Sequence, residues 1–405
     1  MMRSLFAGVS GLKNHQTRMD VIGNNIANVN TVGFKKSRVT FQDMLSQTLR
    51  GASTPQGNRA GTNPMQVGLG MSLASIDVIH TPGSPQSTGK NTDLSIEGEG
   101  FFMLSDGQNI YYTRAGNFDF DYNKTFYNTA NGMIVQGIMA DANGGIDPKG
   151  AITDINLASK LSTIPSATTK VEFAKNLDAR ATAPTSFSST ITVYDSQGNT
   201  HTLTAIFTPS GTDNEWNVDV EIDGIIAGPT STISFNTDGT FNSGTFNATL
   251  PLLPGANDLN ISLDFSKMTQ FAGDFTALAF NQNGYTYGDL QSVSVDTTGT
   301  ITGSYSNGQS RKLAQVAIAT FTNPSGLIKA GNNLFQFSNN SGEPDKGIPG
   351  ISGRGIIKPE TLEMSNVDLS QEFVDMIITQ RGFQANSRVI TTSDQVLEEL
   401  VNLRR

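Results

Sequence analysis

Apolar residues recur at every seventh position at both ends of the chain. From Leu369 the row runs Leu369, Met376, Phe383, Ile390 and Leu397; from Leu5 it runs Leu5, Leu12, Met19 and Ile26. A seven-residue apolar repeat lines one side of an α-helix and forms the seam of a coiled coil. At the second seam position of the C-terminal segment Phe373 and Val401 fit, whereas Gln380, Ser387 and Asp394 do not, so the stripe is narrow. A helix with so narrow a stripe needs a partner, and the opposite end of the chain offers one. Burial along one seam falls short of the backbone entropy lost on ordering both ends. The ends are therefore expected largely disordered in a lone subunit, folding when neighbours add surface. Thr379 and His15 fall on the sides expected to face solvent.

Residues 3–29 read as helix. Its closing run, Gly23 to Asn30, is poor helix-forming sequence. Either the helix frays toward a cap at Asn30 or Gly33, or amides such as Asn24, Asn25 and Asn28 tie neighbouring backbones together in an assembly. Mixed apolar spacing over 31–50 predicts an extended stretch and a short helix near 40–49, and 51–70 is Gly/Pro/Thr/Asn-rich loop. From 71 to 140, and again over 151–284 and 285–357, β-branched and aromatic runs alternate with turn residues. Asp141 to Gly150 is turn chemistry and marks a boundary. If the ends pair, the inner layers nest. This gives terminal helices over 1–30 and 360–405, an extended connector over 31–70, a β-domain over 71–147 and 285–359, and an outer β-domain inserted at 148–284. The expected fold class is mainly β with α-helical coiled-coil termini, in nested discontinuous domains of an elongated subunit of a helical tube.

Composition sharpens this. The chain of 405 residues holds 41 Gly and no Cys, which fits a turn-rich β-protein and rules out disulfides and Cys-ligated metals. A net charge of −9 argues against nucleic acid as a partner. Residues 1–50 carry seven basic against two acidic residues, and residues 360–405 four against eight, so the two ends attract each other weakly. No membrane span or cleaved leader is recognisable, so an exported chain is expected to leave without one.

Catalytic motifs fail when checked. The three His form no HExxH pair, and Gly83 to Lys90 has the wrong spacing for a phosphate loop, with Asn91 where Ser or Thr must follow. Gly98-Glu99-Gly100 lacks the third glycine of a dinucleotide fingerprint. Asp119, Asp121 and Asn123 start like a Ca²⁺ loop, but Lys124 and Ala130 stand where Gly and Glu are needed, so a β-turn is expected. No enzyme, cofactor or metal emerges.

The segment Asn24-Asn25-Ile26-Ala27-Asn28-Val29-Asn30-Thr31-Val32-Gly33-Phe34-Lys35 resembles the N-terminal signature of the bacterial flagellar rod and hook proteins. Gly98-Glu99-Gly100-Phe101-Phe102, Tyr112-Thr113-Arg114-Ala115-Gly116-Asn117-Phe118 and Ser365-Asn366-Val367-Asp368-Leu369 resemble further signatures of that family, as does Gln380-Arg381-Gly382-Phe383-Gln384-Ala385-Asn386. The inserted block with Val193-Tyr194-Asp195-Ser196-Gln197-Gly198-Asn199 is similar to the hook members; rod members are similar at both ends but are expected to lack so large an insert. The Cys–Lys-derived crosslink of some members is excluded by the absence of Cys.

The resemblance implies a structural subunit that polymerises into the curved, flexible hook tube transmitting motor torque to the filament, with the terminal helices lining its channel. A distal rod subunit and a secreted β-rich adhesin are the alternatives. Implied partners are further copies of the chain, the hook cap protein, the distal rod protein, the hook–filament junction protein and the flagellar type III export apparatus; no nucleic acid and no membrane insertion are implied. The implied location is the extracellular hook. Assembly is expected to rest on the two sevenfold rows with Phe373, on Asn24, Asn25, Asn28 and Gly33, and on Gln380, Arg381 and Asn386.

Overall fold

The computed structural model describes residues 2–55, 57, 60–142, 144–250 and 257–402. The last three positions of the expected C-terminal helix, Met1, and parts of the expected loops at 51–70 and 141–150 lie outside them. The protein is mainly β, with long α-helices only at its ends: α1 (Met2–Ala27) and α2 (Leu369–Asn402). It divides into two compact units. Unit 1 comprises residues 1–158, 293–302 and 312–405; unit 2 comprises 159–292 and 303–311.

In unit 1, α1 ends in tight turns at Asn28 to Phe34. Gly33 adopts φ +67°, and a Cβ there would sit 2.5 Å from the Ala115 nitrogen, so only Gly fits this turn. The short helix expected near 40–49 is absent. Instead β1 (Ser37–Asp43) and β2 (Ser46–Arg50) are strands. Val39 and Phe41 follow the twofold spacing of a strand, and β1 is held antiparallel to β4 (Met71–Val78), with Thr40 and Ser75 sharing a hydroxyl hydrogen bond of 2.6 Å. Within the expected loop, β3 (Met65–Gly68) pairs with β2 as a ribbon exposed along its length.

Next come β5 (Pro85–Ser87), β6 (Leu94–Glu97), β7 (Phe101–Ser105) and β8 (Ile110–Thr113). Strands β7 and β8 pair with each other, β7 also with Ile318–Thr320, and β8 with Leu334–Gln336. Phe101, Met103, Tyr112, Ala319, Phe321 and Phe335 meet there as a buried aromatic core. The return chain adds Ile356–Pro359 beside β6 and Thr361–Glu363 beside β5 before entering α2.

Unit 2 contains a six-stranded antiparallel sheet and a four-stranded sheet in which Lys170–Asp178 and Leu259–Phe271 run parallel. Strict alternation along Glu215–Ile222 places Trp216, Val218, Val220 and Ile222 in the core. Between Ala181 and Ser266 the sequence has no Lys or Arg.

Candidate assembly site

Four of the family-like segments, Asn24 to Lys35, Gly98 to Phe102, Tyr112 to Phe118 and Ser365 to Leu369, are far apart along the chain and meet where the two helices leave the β-body. Lys35 follows the turn after α1 and is completely buried. Its Nζ donates to Glu363 Oε1 at 2.5 Å and to the Thr81 carbonyl at 2.7 Å. The Gly83 amide donates to the same Glu363 oxygen at 2.8 Å, while Arg114 Nη1 lies 3.4 Å from Oε2. Arg114 also donates to the carbonyls of Ile96 and Gly98 and stacks on Phe101. Burial holds the Lys35 ammonium below its ordinary pKa, and Glu363 opposes that shift. One carboxylate thus joins two cations, and with them the segment after α1, the strand before α2 and the sheet.

A second layer lies closer to the helices. The Asn25 side chain donates to the Ser37 carbonyl at 2.8 Å, accepts from the Ser37 amide at 3.0 Å and donates to Glu372 at 3.1 Å. Asn366 accepts from the Lys36 amide and donates to the carbonyls of Ile79 and Thr81. Of the expected amides, Asn25 therefore ties backbones within its own chain. Asn28 bonds back to Asn24, which is exposed.

The helices pack antiparallel. Gly8 meets Val389 and Ile390, Gly11 meets Asn386, His15 meets Gly382, and Arg18 pairs with Asp375 at 3.1 Å. The inner row of α1 is Gly8, Gly11, His15, Arg18, Ile22 and Asn25; that of α2 is Glu372, Thr379, Asn386 and Ser393. A Cβ on Gly11 would lie 2.7 Å from Asn386, and one on Gly382 would lie 2.8 Å from the His15 ring. Small side chains thus let the backbones approach. His15 and Thr379, expected toward solvent, are inside: His15 is wedged between Gly382 and Phe41, and Thr379 is fully buried with its hydroxyl on the Asp375 carbonyl.

The sevenfold apolar rows flank this inner row. Leu5, Leu12, Met19 and Ile26, like Met376, Phe383, Ile390 and Leu397, are half-buried. Leu369 and Phe373 keep 40% and 50% of their surface, and Gln380 and Arg381 are exposed. A further line on α2 was hidden to sevenfold counting. Val374, Ile378, Ala385, Val389, Val396 and Leu400 are exposed at spacings of four and seven in alternation. Eleven residues make three turns, so the line runs straight along the helix.

Asp119 pairs with Lys90 at 2.8 Å, and Asp121 accepts from the Thr125 amide within a turn. Among the described residues no group of three or more His, Asp or Glu could hold a metal, and no helix is long and apolar enough to cross a membrane.

Four family models match in order. They are the flagella basal body rod protein model (5–35), the flagellar hook protein FlgE/F/G D1 domain (95–176), the flagellar basal body protein FlaE D2 domain (156–285) and the flagellar basal body rod FlgEFG protein C-terminal model (358–403). The flagellar hook protein FlgE of Borreliella burgdorferi is 44% identical over the full length of both chains. The flagellar basal-body rod protein FlgG of Bacillus subtilis is 34% identical, again over all of both chains. This rod-named relative thus spans the inserted block as well, which the sequence did not lead us to expect of rod members. In fold the chain resembles the crystal structure of Helicobacter pylori flagellar hook protein FlgE2, with a TM-score of 0.50 at 15% identity, covering 70% of this chain and 100% of that one. With full-length identity well above 30%, the chain belongs to the flagellar hook and basal-body rod protein family.

Proposed function

We propose that this chain is a structural subunit of the bacterial flagellar hook, polymerising with its own kind into a curved, flexible tube that carries torque from motor to filament. It works without catalysis, as its structural relatives do. Its further partners are the hook cap protein, the distal rod protein, the hook–filament junction protein and the type III export apparatus, through which it leaves the cell. The terminal helices form the inner layer, and the block over 148–284 is carried as an inserted outer domain.

The observation that carries this reading is the exposed apolar line on α2. Val374, Ile378, Val389, Val396 and Leu400 keep between 39% and 56% of their surface beside a helix pair that is already formed. Contiguous apolar surface of this kind marks an interaction site. It leaves α2 free to take further helices on a second side, as a tube of identical subunits requires.

Electron microscopy of the concentrated protein tests it: tubes are expected, and their absence over a wide concentration range overturns it. Ile378→Glu with Val396→Glu should abolish the tubes while leaving the melting of both units unchanged. The full-length match to a relative named as a rod protein favours a second reading, a distal rod subunit. Micrographs of a deletion strain separate the two, since either the hook or the rod is lost.

A further inference from the structure

The segment Ile79 to Gly83 supplies the groups to which both helix stems are tied. The Ile79 carbonyl accepts from Asn366, the Thr81 carbonyl from Lys35 and Asn366, and the Gly83 amide donates to Glu363. In the middle of this strap stands His80. Its ring meets Phe101 and Phe335 edge-on at centroid distances of 5.5 and 5.2 Å. Both ring nitrogens are buried, and neither has a hydrogen-bond partner among the described residues.

The charged groups that act most strongly on the ring are positive: Lys35 from the stem of α1, Arg114 from the end of β8, and Lys329 from Ile328–Gly331. Glu363 is already held by Lys35 and Arg114, and Glu99 acts on Lys35. The Pro324 carbonyl works in the opposite sense without reaching hydrogen-bond geometry.

We infer that His80 is an acid-release switch for the strap, so that its protonation frees the stems of both terminal helices from the β-body. A proton on this ring places a fourth cation in a box with one shared carboxylate, and the nearest acceptor, the Pro324 carbonyl, stands out of hydrogen-bond geometry. The ring can be hydrated only by moving out, and Thr81, its covalent neighbour, then draws its carbonyl from Lys35 and Asn366.

Burial, then Lys35, Arg114 and Lys329, depress the ring's pKa from 6.5 to about 4. A His depressed in the closed state is held in place by neutrality. The closed strap is fully stable above pH 6.5 and loses stability as pH falls from there toward 4. Over this window the proton-linked opening constant rises roughly fifty- to a hundred-fold by pH 4.5.

The test is hydrogen exchange of the full chain, corrected for intrinsic rates and followed in peptides covering 31–38, 79–83 and 361–368, between pH 7.5 and 4.5. Opening of these three segments should rise together by that factor, while peptides of unit 2 stay protected. His80→Phe, which keeps the aromatic contacts and cannot titrate, should abolish the rise; His80→Gln replaces it if the Phe variant melts early at pH 7.5. An unchanged rise in the variant, or none in the wild type, overturns the inference. So does a His80 ring signal titrating near 6.5 by NMR. The consequence for assembly rests on the hook reading: wild-type tubes should shed subunits on acidification and variant tubes persist. A chain that forms no tubes at neutral pH defeats that reading, while the single-chain exchange still tests the switch.

Discussion

Lys35 and Glu363 stand 328 residues apart in the sequence and 2.5 Å apart in the fold, both buried. The stem of α1 is thereby bound to the strand that leads into α2, and Arg114 binds both to the sheet. Removing one member of such a cluster leaves the others charged without a counter-ion, at a cost of about 3–5 kcal/mol. Glu363→Ala should therefore destabilise unit 1 by that amount in chemical denaturation. Pairing Lys35→Met with Glu363→Leu should cost less than the two single changes added, because no orphan charge remains between them. Additive losses in this double-mutant cycle would show that the pair is not coupled.

Much of this junction was legible in the sequence, and Glu363 was not. Lys35 and Arg114 lie inside recognisable segments, whereas Glu363 is one acid among Thr361, Leu362 and Met364 with nothing local to single it out. The available signal was the need of two buried cations for a counter-charge. The helices themselves were readable because a sevenfold apolar row survives any tertiary context. Their contact face was not, because it is built from Gly8, Gly11, Gly382, Thr379 and Asn386, which hydrophobic patterning passes over. Residues 37–50 misled for the opposite reason: their local spacing is ambiguous, and pairing with β4 for β1 and with β3 for β2 decides.

Close approach of the helices makes a sharp contrast between two glycines of α1. Gly11→Val drives a branched side chain into Asn386, and overpacking of this kind costs about 1–3 kcal/mol. Nothing lies within 4 Å of a Cβ at Gly23, so Gly23→Ala should stabilise the helix by about 0.5–1 kcal/mol. Far-UV circular dichroism melts should move in opposite directions for the two variants. A harmless Gly11→Val would mean that the helices do not meet as described.

Trp216, the only Trp, is buried in unit 2, so its fluorescence reports that unit alone. Trp216→Phe removes the probe; Trp216→Ala should destabilise unit 2 by about 3–5 kcal/mol. Since the exposed apolar line lies on α2, Trp216→Ala should leave the helix signal unchanged in the melt. Its polymerisation threshold below the melting point of unit 2 should match the wild type. A shifted threshold would place an essential assembly contact in unit 2.

Phe383 gives the most discriminating test of assembly through the helices. It is the largest side chain of the C-terminal sevenfold row, yet beside α1 it is only half-buried, so a neighbouring subunit has surface left to cover. Truncating a fully buried Phe costs about 3–5 kcal/mol, and here that cost divides between the lone chain and the polymer. Phe383→Ala should therefore lower the helix melt modestly and raise the critical concentration by ~10-fold for each 1.4 kcal/mol lost per added subunit. Exposed Gln395→Ala serves as the neutral control. Sedimentation of polymer and calorimetry of the monomer, run on both variants, separate the two shares. If the whole loss appears in the monomer and the threshold stays at the wild-type value, Phe383 contacts only its own chain, and subunits join through another surface.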